Sequence, residues 1–237
     1  MPRFFMAGTN ILGGMAIMKG RDAEHVRVLR LRPGEDMIIC DGQGTDYKCR
    51  LVSADKEQVE AEVIEVVPCP AEPSVKVTVL CGLPKGDKTD YIIQKCVEAG
   101  AYEIMFFDSE RCIAKPDKPE KKLERWQRIA EEAAKQSGRG IIPQVSWAGD
   151  FTAVLDIAVK KDLGLFMYET GEREKLDDVL SANKDIATAA IITGGLVAAT
   201  AAIANRPLNW LVMFFSRARS ARVPCRRGIP TDEEYSR

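Results

Sequence analysis

Three short clusters hold the side chains best suited to chemistry. Gly82-Leu83-Pro84-Lys85-Gly86-Asp87-Lys88 sets two lysines between glycines whose backbone N–H groups can meet a phosphate. Ser109-Glu110-Arg111 adds a guanidinium. Gln136-Ser137-Gly138-Arg139-Gly140 adds an amide and a second guanidinium, groups that read a base edge and hold a phosphate. Gln136 and Arg139 are expected to project together from a last helical turn. Each cluster fits a solvated loop or helix end as well as a site. The chain has one histidine, His25, which excludes a histidine-rich metal site and a pair of catalytic imidazoles. His25 itself reads as a surface residue or as a phosphate or base contact. No nucleophile elbow, P-loop or dinucleotide fingerprint occurs, so no catalytic base or nucleophile is assigned and no metal is expected.

Charge supports a polyanionic partner by its placement and not by its sum. Across 237 residues the net charge is −1. Yet residues 1–32 carry Arg3, Lys19, Arg21, Arg27, Arg30 and Arg32 against Asp22 and Glu24. A second basic set includes Lys85, Lys95, Arg111 and Arg139. Such patches line phosphate-binding faces, and they also solvate ordinary surfaces. The seven cysteines are odd in number, scattered and never spaced as CxxC. That pattern fits reduced thiols in the cytoplasm better than disulfides or zinc. The N-terminus reads as lacking a secretory leader, and no apolar run reaches the roughly 20 residues that span a bilayer.

These residues need elements to position them. Short β-branched runs at 36–41, 46–53 and 58–67, with a glycine turn at Asp41-Gly42-Gln43-Gly44, predict strands of a small β-barrel. A short helix over 22–29 precedes them, with Asp22 as its N-cap. Three prolines among residues 68–73 predict a linker. Beyond it, strands at 75–80, 103–107, 163–168 and 186–193 alternate with helices at 90–99, 118–137, 151–160 and 172–182. Repeated β-α units imply a parallel sheet wrapped by helices, with ligands off the carboxyl ends of its strands. Those ends are Gly82–Lys85, Asp108–Arg111, Glu169 and Thr193–Gly194. Neither period holds from 205 onward, where no element is expected.

Met1-Pro2-Arg3-Phe4-Phe5, the segment Glu24 to Gly34, and the Asp41–Gly44 turn stand in one order with Leu83–Lys88, Ile93–Gly100, Ser109–Arg111, Arg125–Ala130, Glu132–Arg139 and Ile142-Pro143. In that order and spacing the chain resembles the ribosomal RNA small subunit methyltransferase E family. The resemblance implies a PUA-like β-barrel over 1–72 and a SPOUT-type α/β domain over 73–194. It implies S-adenosyl-L-methionine as methyl donor, N3 of a uridine in 16S rRNA as target, and a homodimer with the donor bound in a C-terminal trefoil knot. Thr193, Gly194 and, more distantly, Glu169 would meet the donor. Arg3, His25, Arg27, Arg30, Lys85, Lys95, Arg111, Gln136 and Arg139 would meet RNA.

The tail departs from that pattern. Ile191-Ile192-Thr193-Gly194-Gly195-Leu196 matches only the start of the family's Gly-Pro-Glu-Gly-Gly loop. The later Leu-Gly-x-Arg-Ile-Leu-Arg segment is absent from 196–237. The knot is therefore expected to be missing or incomplete, and 195–237 to form an atypical tail. An out-of-frame GC-rich coding sequence would produce such an arginine-rich stretch. So would divergence to a non-catalytic RNA-binding protein of the same ancestry, the alternative to an active methyltransferase.

Overall fold

The computed structural model describes residues 1–6, 11–84, 88–108, 119–168 and 176–194, and the backbone of 211–216. The N-terminal part is a curled six-stranded sheet built from β1 (Arg3–Phe5), β2 (Ile11–Leu12), β3 (Met15–Lys19), β4 (Asp36–Cys40), β5 (Thr45–Ala54) and β6 (Gln58–Pro68). Its order is β1-β4-β5-β6-β3-β2. Alternation along β5 turns Cys49 and Leu51 inward and Lys48, Arg50 and Val52 outward, as a sheet with one face on a core requires. Phe4, Met18, Met37, Ile39, Leu51 and Val59 pack with Ala23 and Val26 of helix α1 (Gly20–Val28). Each large apolar side chain so buried contributes about 1.5–3 kcal/mol. The expected helix is present but begins earlier. Lys19 occupies its N-cap without a side-chain bond, so Asp22 lies inside the helix and does not cap it.

The second part is a six-stranded sheet with the order β12-β10-β11-β7-β8-β9. Its strands are β7 (Lys76–Gly82), β8 (Glu103–Phe107), β9 (Gln144–Gly149), β10 (Leu163–Tyr168), β11 (Thr188–Thr193) and β12 (Leu211–Ser216). The strands from β7 to β11 pair in parallel, while β12 runs antiparallel to β10 at one edge. Helices α2 (Lys88–Glu98) and α3 (Pro119–Ser137) cover one face. Helix α4 (Phe151–Ala158) packs on the face that carries Leu80, Phe107 and Ile192. Helix α5 (Leu176–Ala182) is the described part of the helix expected over 172–182. In α3, Trp126, Ala130, Ala133 and Ala134 fall on one stripe, and Trp126 meets Phe106 with ring centroids 5.0 Å apart. Two strands at opposite edges of this sheet escape the sequence expectation. β9 is a half-buried edge strand with weak alternation. β12, in the stretch expected to hold no element, reads Leu-Val-Met-Phe-Phe-Ser, an unalternating apolar run of the kind that fills covered strands. Most of the segment in which a knot was to be sought lies outside the described residues.

The two sheets meet at a junction dense in hydrogen bonds. β1 and β4 have two covered faces. Phe4 and Ile39 point into the first sheet's own core, whereas Phe5 and Cys40 join the cluster under α2 and α3 of the second. On that second face Arg3 makes a two-pronged pair with Asp46, both contacts at 2.8 Å, and its Nη1 also reaches the Cys40 sulfur. The Glu72 carboxylate accepts from Arg139 Nη2 at 2.6 Å and from the N–H groups of Gly140 and Ile141 at 2.8 and 2.9 Å. Arg139 also donates to the carbonyls of Val97 and Ala101. The Gly44 N–H donates to the Gly140 carbonyl at 3.1 Å. Only glycine fits at 140, because a Cβ there would lie 2.5 Å from the Cys69 Cβ.

Candidate active site at the strand ends

The connection pattern of the second sheet marks a site before any side chain is considered. From β7 the chain proceeds to β8 and β9 on one side and returns through β10 and β11 on the other. The reversal lies between β7 and β11, and ligands of open α/β sheets bind beyond the carboxyl ends at such a point. Thr193 pairs with Cys81 across that boundary, and Met167 of β10 pairs with Thr193. Phe107 of β8 pairs with Gly82. The crevice floor is therefore made by Cys81–Gly82, Phe107–Asp108, Met167–Tyr168 and Thr193–Gly194.

Main-chain atoms dominate this floor. A Cβ on Gly82 would stand 3.4 Å from the Gly194 carbonyl oxygen, at ordinary contact distance, so the two strand ends lie side by side. Gly194 is exposed, and open space surrounds the position of a Cβ on it. Thr193 is fully buried beneath it. Thr193 and Gly194 thus stand at the carboxyl end of β11, beside Cys81 and Gly82 of β7. The thiols here are inert. Burial pushes the Cys81 thiol up to about 12, so it stays protonated and is neither a nucleophile nor a base near neutrality. Beside the crevice, Asp108 donates its N–H to the Gly149 carbonyl at 2.9 Å, and its Oδ1 is buried without a hydrogen-bond partner. Sequence inspection placed Asp108 at a strand end but gave it no role, because no motif surrounds it. Among the described residues, no group of three or more His, Cys, Asp or Glu side chains could hold a metal.

The expected RNA contacts separate into three groups. His25 and Arg30 are exposed on the first sheet's helical side, His25 edge-on to Phe4 at 5.5 Å and Arg30 at a positive φ of 56°. Arg27 lies nearby but spends Nη1 on the carbonyls of Asp55 and Lys56. Lys95 is paired with Glu98 at 2.6 Å, and Gln136 is exposed. Arg3 and Arg139 correct the sequence expectation. Arg139 is 2% exposed and turned inward onto Glu72, so it does not project with Gln136. Arg3 is likewise directed at Asp46, because it shares a strand face with Phe5 at the junction. Lys85, Arg111 and Glu169 lie outside the described residues. Glu72 and Asp46, which hold these arginines, had no visible signal, since their partners are 67 and 43 positions away.

Comparison with known proteins supplies the family. Residues 71–195 match the model of an RNA methyltransferase domain, and residues 19–64 match that of an RNA methyltransferase PUA domain. The chain is 38% identical over 158 residues to ribosomal RNA small subunit methyltransferase E of Bacillus subtilis, covering 65% of this chain and 62% of that protein. It is 30% identical to the protein of the same name from Mesomycoplasma hyopneumoniae, covering 65% of this chain and 66% of that one. The matched region thus spans under two thirds of these relatives. Among solved structures, ribosomal RNA small subunit methyltransferase E of Neisseria gonorrhoeae, bound to S-adenosyl methionine, superposes with a TM-score of 0.69 at 27% identity. That likeness covers 86% of this chain and 96% of the other. With strands β7 to β11 inside the matched region, the chain belongs to the RNA methyltransferase domain family, alongside the ribosomal RNA small subunit methyltransferases E.

Proposed function

We propose that the protein transfers a methyl group from S-adenosyl-L-methionine to N3 of a uridine in 16S rRNA, in the cytoplasm and as a homodimer. The observation that carries this reading is the glycine-lined crevice at the β7/β11 reversal, in a chain whose relatives are rRNA methyltransferases. Bound there, the donor would supply an electrophilic methyl on a sulfonium. Thr193 and Gly194 would hold it through main-chain groups, with Glu169 as a further contact. His25, Arg27 and Arg30 would hold RNA phosphates beside the first sheet, with Lys95 of α2, Gln136 of α3, Lys85 and Arg111 as further contacts. The domains would divide near residue 72, where the chain passes from β6 to β7.

A second reading, a non-catalytic RNA-binding protein, is favoured by one fact. The family match ends at residue 195, where the late motifs should begin. The two readings part in one experiment. Purified protein is incubated with labelled donor and undermethylated small-subunit rRNA, and the nucleosides are resolved by mass spectrometry. 3-Methyluridine is the expected product, and RNA binding without methyl incorporation would select the second reading. Titration calorimetry should show the donor binding at least about tenfold more weakly than to a relative with both late motifs, a loss of about 1.4 kcal/mol.

A further inference from the structure

We propose that the Asp108 carboxylate accepts the imino N–H of the base to be methylated, an assignment that rests on the methylation reading above. Asp108 directly follows β8, one strand beyond the β7/β11 crevice and so about 5 Å farther along the floor. Its place is set on both sides. Its own N–H is held by Gly149 at 2.9 Å, and the preceding carbonyl, that of Phe107, accepts from the Leu83 N–H at 3.0 Å. The residue is partly exposed, yet Oδ1 is buried and has no hydrogen-bond partner.

A carboxylate only accepts hydrogen bonds, and a buried oxygen left without a donor lowers stability unless something outside the fold completes it. The other buried or half-buried acids do not share this condition. Asp46 and Glu72 are filled by arginines, and Asp162 by the Thr188 hydroxyl and two N–H groups. Ser146 Oγ is the other unpartnered buried atom among the described residues, but it lies within β9 opposite Met105, away from the strand ends. Among the described residues, Asp108 is therefore the acid with a buried, unused acceptor at the floor of the crevice.

Uracil N3–H matches that vacancy. It is a single donor, weakly acidic, and it must leave as the new bond forms. As the N3 electron pair bonds to the methyl carbon, the S–CH3 bond breaks with its electrons passing to sulfur, leaving a neutral thioether. The N3 proton passes to the Asp108 carboxylate.

Two measurements on the full chain test this. Fluorescence anisotropy compares an rRNA-derived oligonucleotide bearing the target uridine with the same strand bearing 3-methyluridine. Wild type should prefer the unmethylated strand at least about tenfold, and Asp108→Ala should remove the preference while the melting temperature holds. A wild type without preference, or an Asp108→Ala variant that keeps it, overturns the assignment. In single turnover at saturating donor, Asp108→Asn should slow methylation by about 10²–10⁴-fold with donor affinity unchanged. An unslowed Asp108→Asn overturns the assignment too. A wild type that never methylates sinks the methylation reading, and the binding comparison still decides the role of Asp108.

Discussion

At the junction between the sheets, Asp46 and Arg139 are buried, Arg3 and Glu72 are half-buried, and each faces an opposite charge at 2.6–2.8 Å. At the carboxyl ends of the second sheet the arrangement is reversed: Gly194 is exposed and Asp108 keeps a buried oxygen unpaired. Residue type does not separate the two regions, since charged and glycine residues serve both. What separates them is saturation. Where every donor and acceptor is answered within the chain, charge holds the sheets in register. Where one is left open beside a crevice, it is available to a ligand.

The comparison breaks most visibly at Glu72. Glu72→Ala leaves the Arg139 guanidinium buried without its counter-charge and should cost about 3–5 kcal/mol, measured by urea unfolding. Arg139→Ala should fall in the same range. A loss below about 1 kcal/mol would mean that water reaches this pair and that the junction is no more saturated than the surface.

Gly140→Ala comes next. Its new methyl would overlap Cys69 at 2.5 Å, and the strained junction should lose about 1–3 kcal/mol in the same assay. Gly194→Ala meets open space and should unfold at nearly the wild-type midpoint, which sharpens the contrast between the two regions.

Acid should reach the junction through Glu72. Burial alone would raise its carboxyl, but donors from Arg139, Ile141 and Gly140 hold the ionised form, and the balance lies below the ordinary value of 4.5. A depressed carboxyl stabilises the fold fully above its unfolded value and loses that contribution as pH falls through the folded one. Urea midpoints should therefore fall below about pH 4.5, and Glu72→Gln should flatten that acid limb. An unchanged limb would assign acid lability to other carboxylates.

The smallest stability effect belongs to the surface. Arg30→Ala removes an exposed side chain and should change stability by no more than about 0.5 kcal/mol. RNA affinity should nonetheless weaken and its salt dependence flatten by about one counterion, read from filter binding across a salt series. Unchanged salt dependence would remove Arg30 from the RNA face.

Much of the fold was legible because its signals are local. The runs at 36–41, 46–53 and 58–67 are rich in β-branched and apolar residues, and the α3 stripe repeats every three or four residues, so each element announces itself within a dozen positions. The strand ends followed from element order, and the family resemblance singled out Thr193 and Gly194 among them. β1 and β2 were missed because three and two residues are too few to show a period. β9 hid because an edge strand is only half covered. Arg139 was misjudged for another reason. A helix-terminal arginine faces water or interior according to what packs against the turn, and here that is Glu72 from the linker. Asp108 stayed invisible because its distinguishing property, an unanswered oxygen, exists only once neighbours are in place.

The order of strands and helices, the glycine-bearing strand ends and the family likeness were determined by the sequence alone, since each depends on residue type and short-range spacing. The tertiary structure alone decided which charges are spent and which are open. A hydrogen bond across 43 or 67 positions is set by the packing of whole sheets, and no local pattern encodes which donor a buried carboxylate will find.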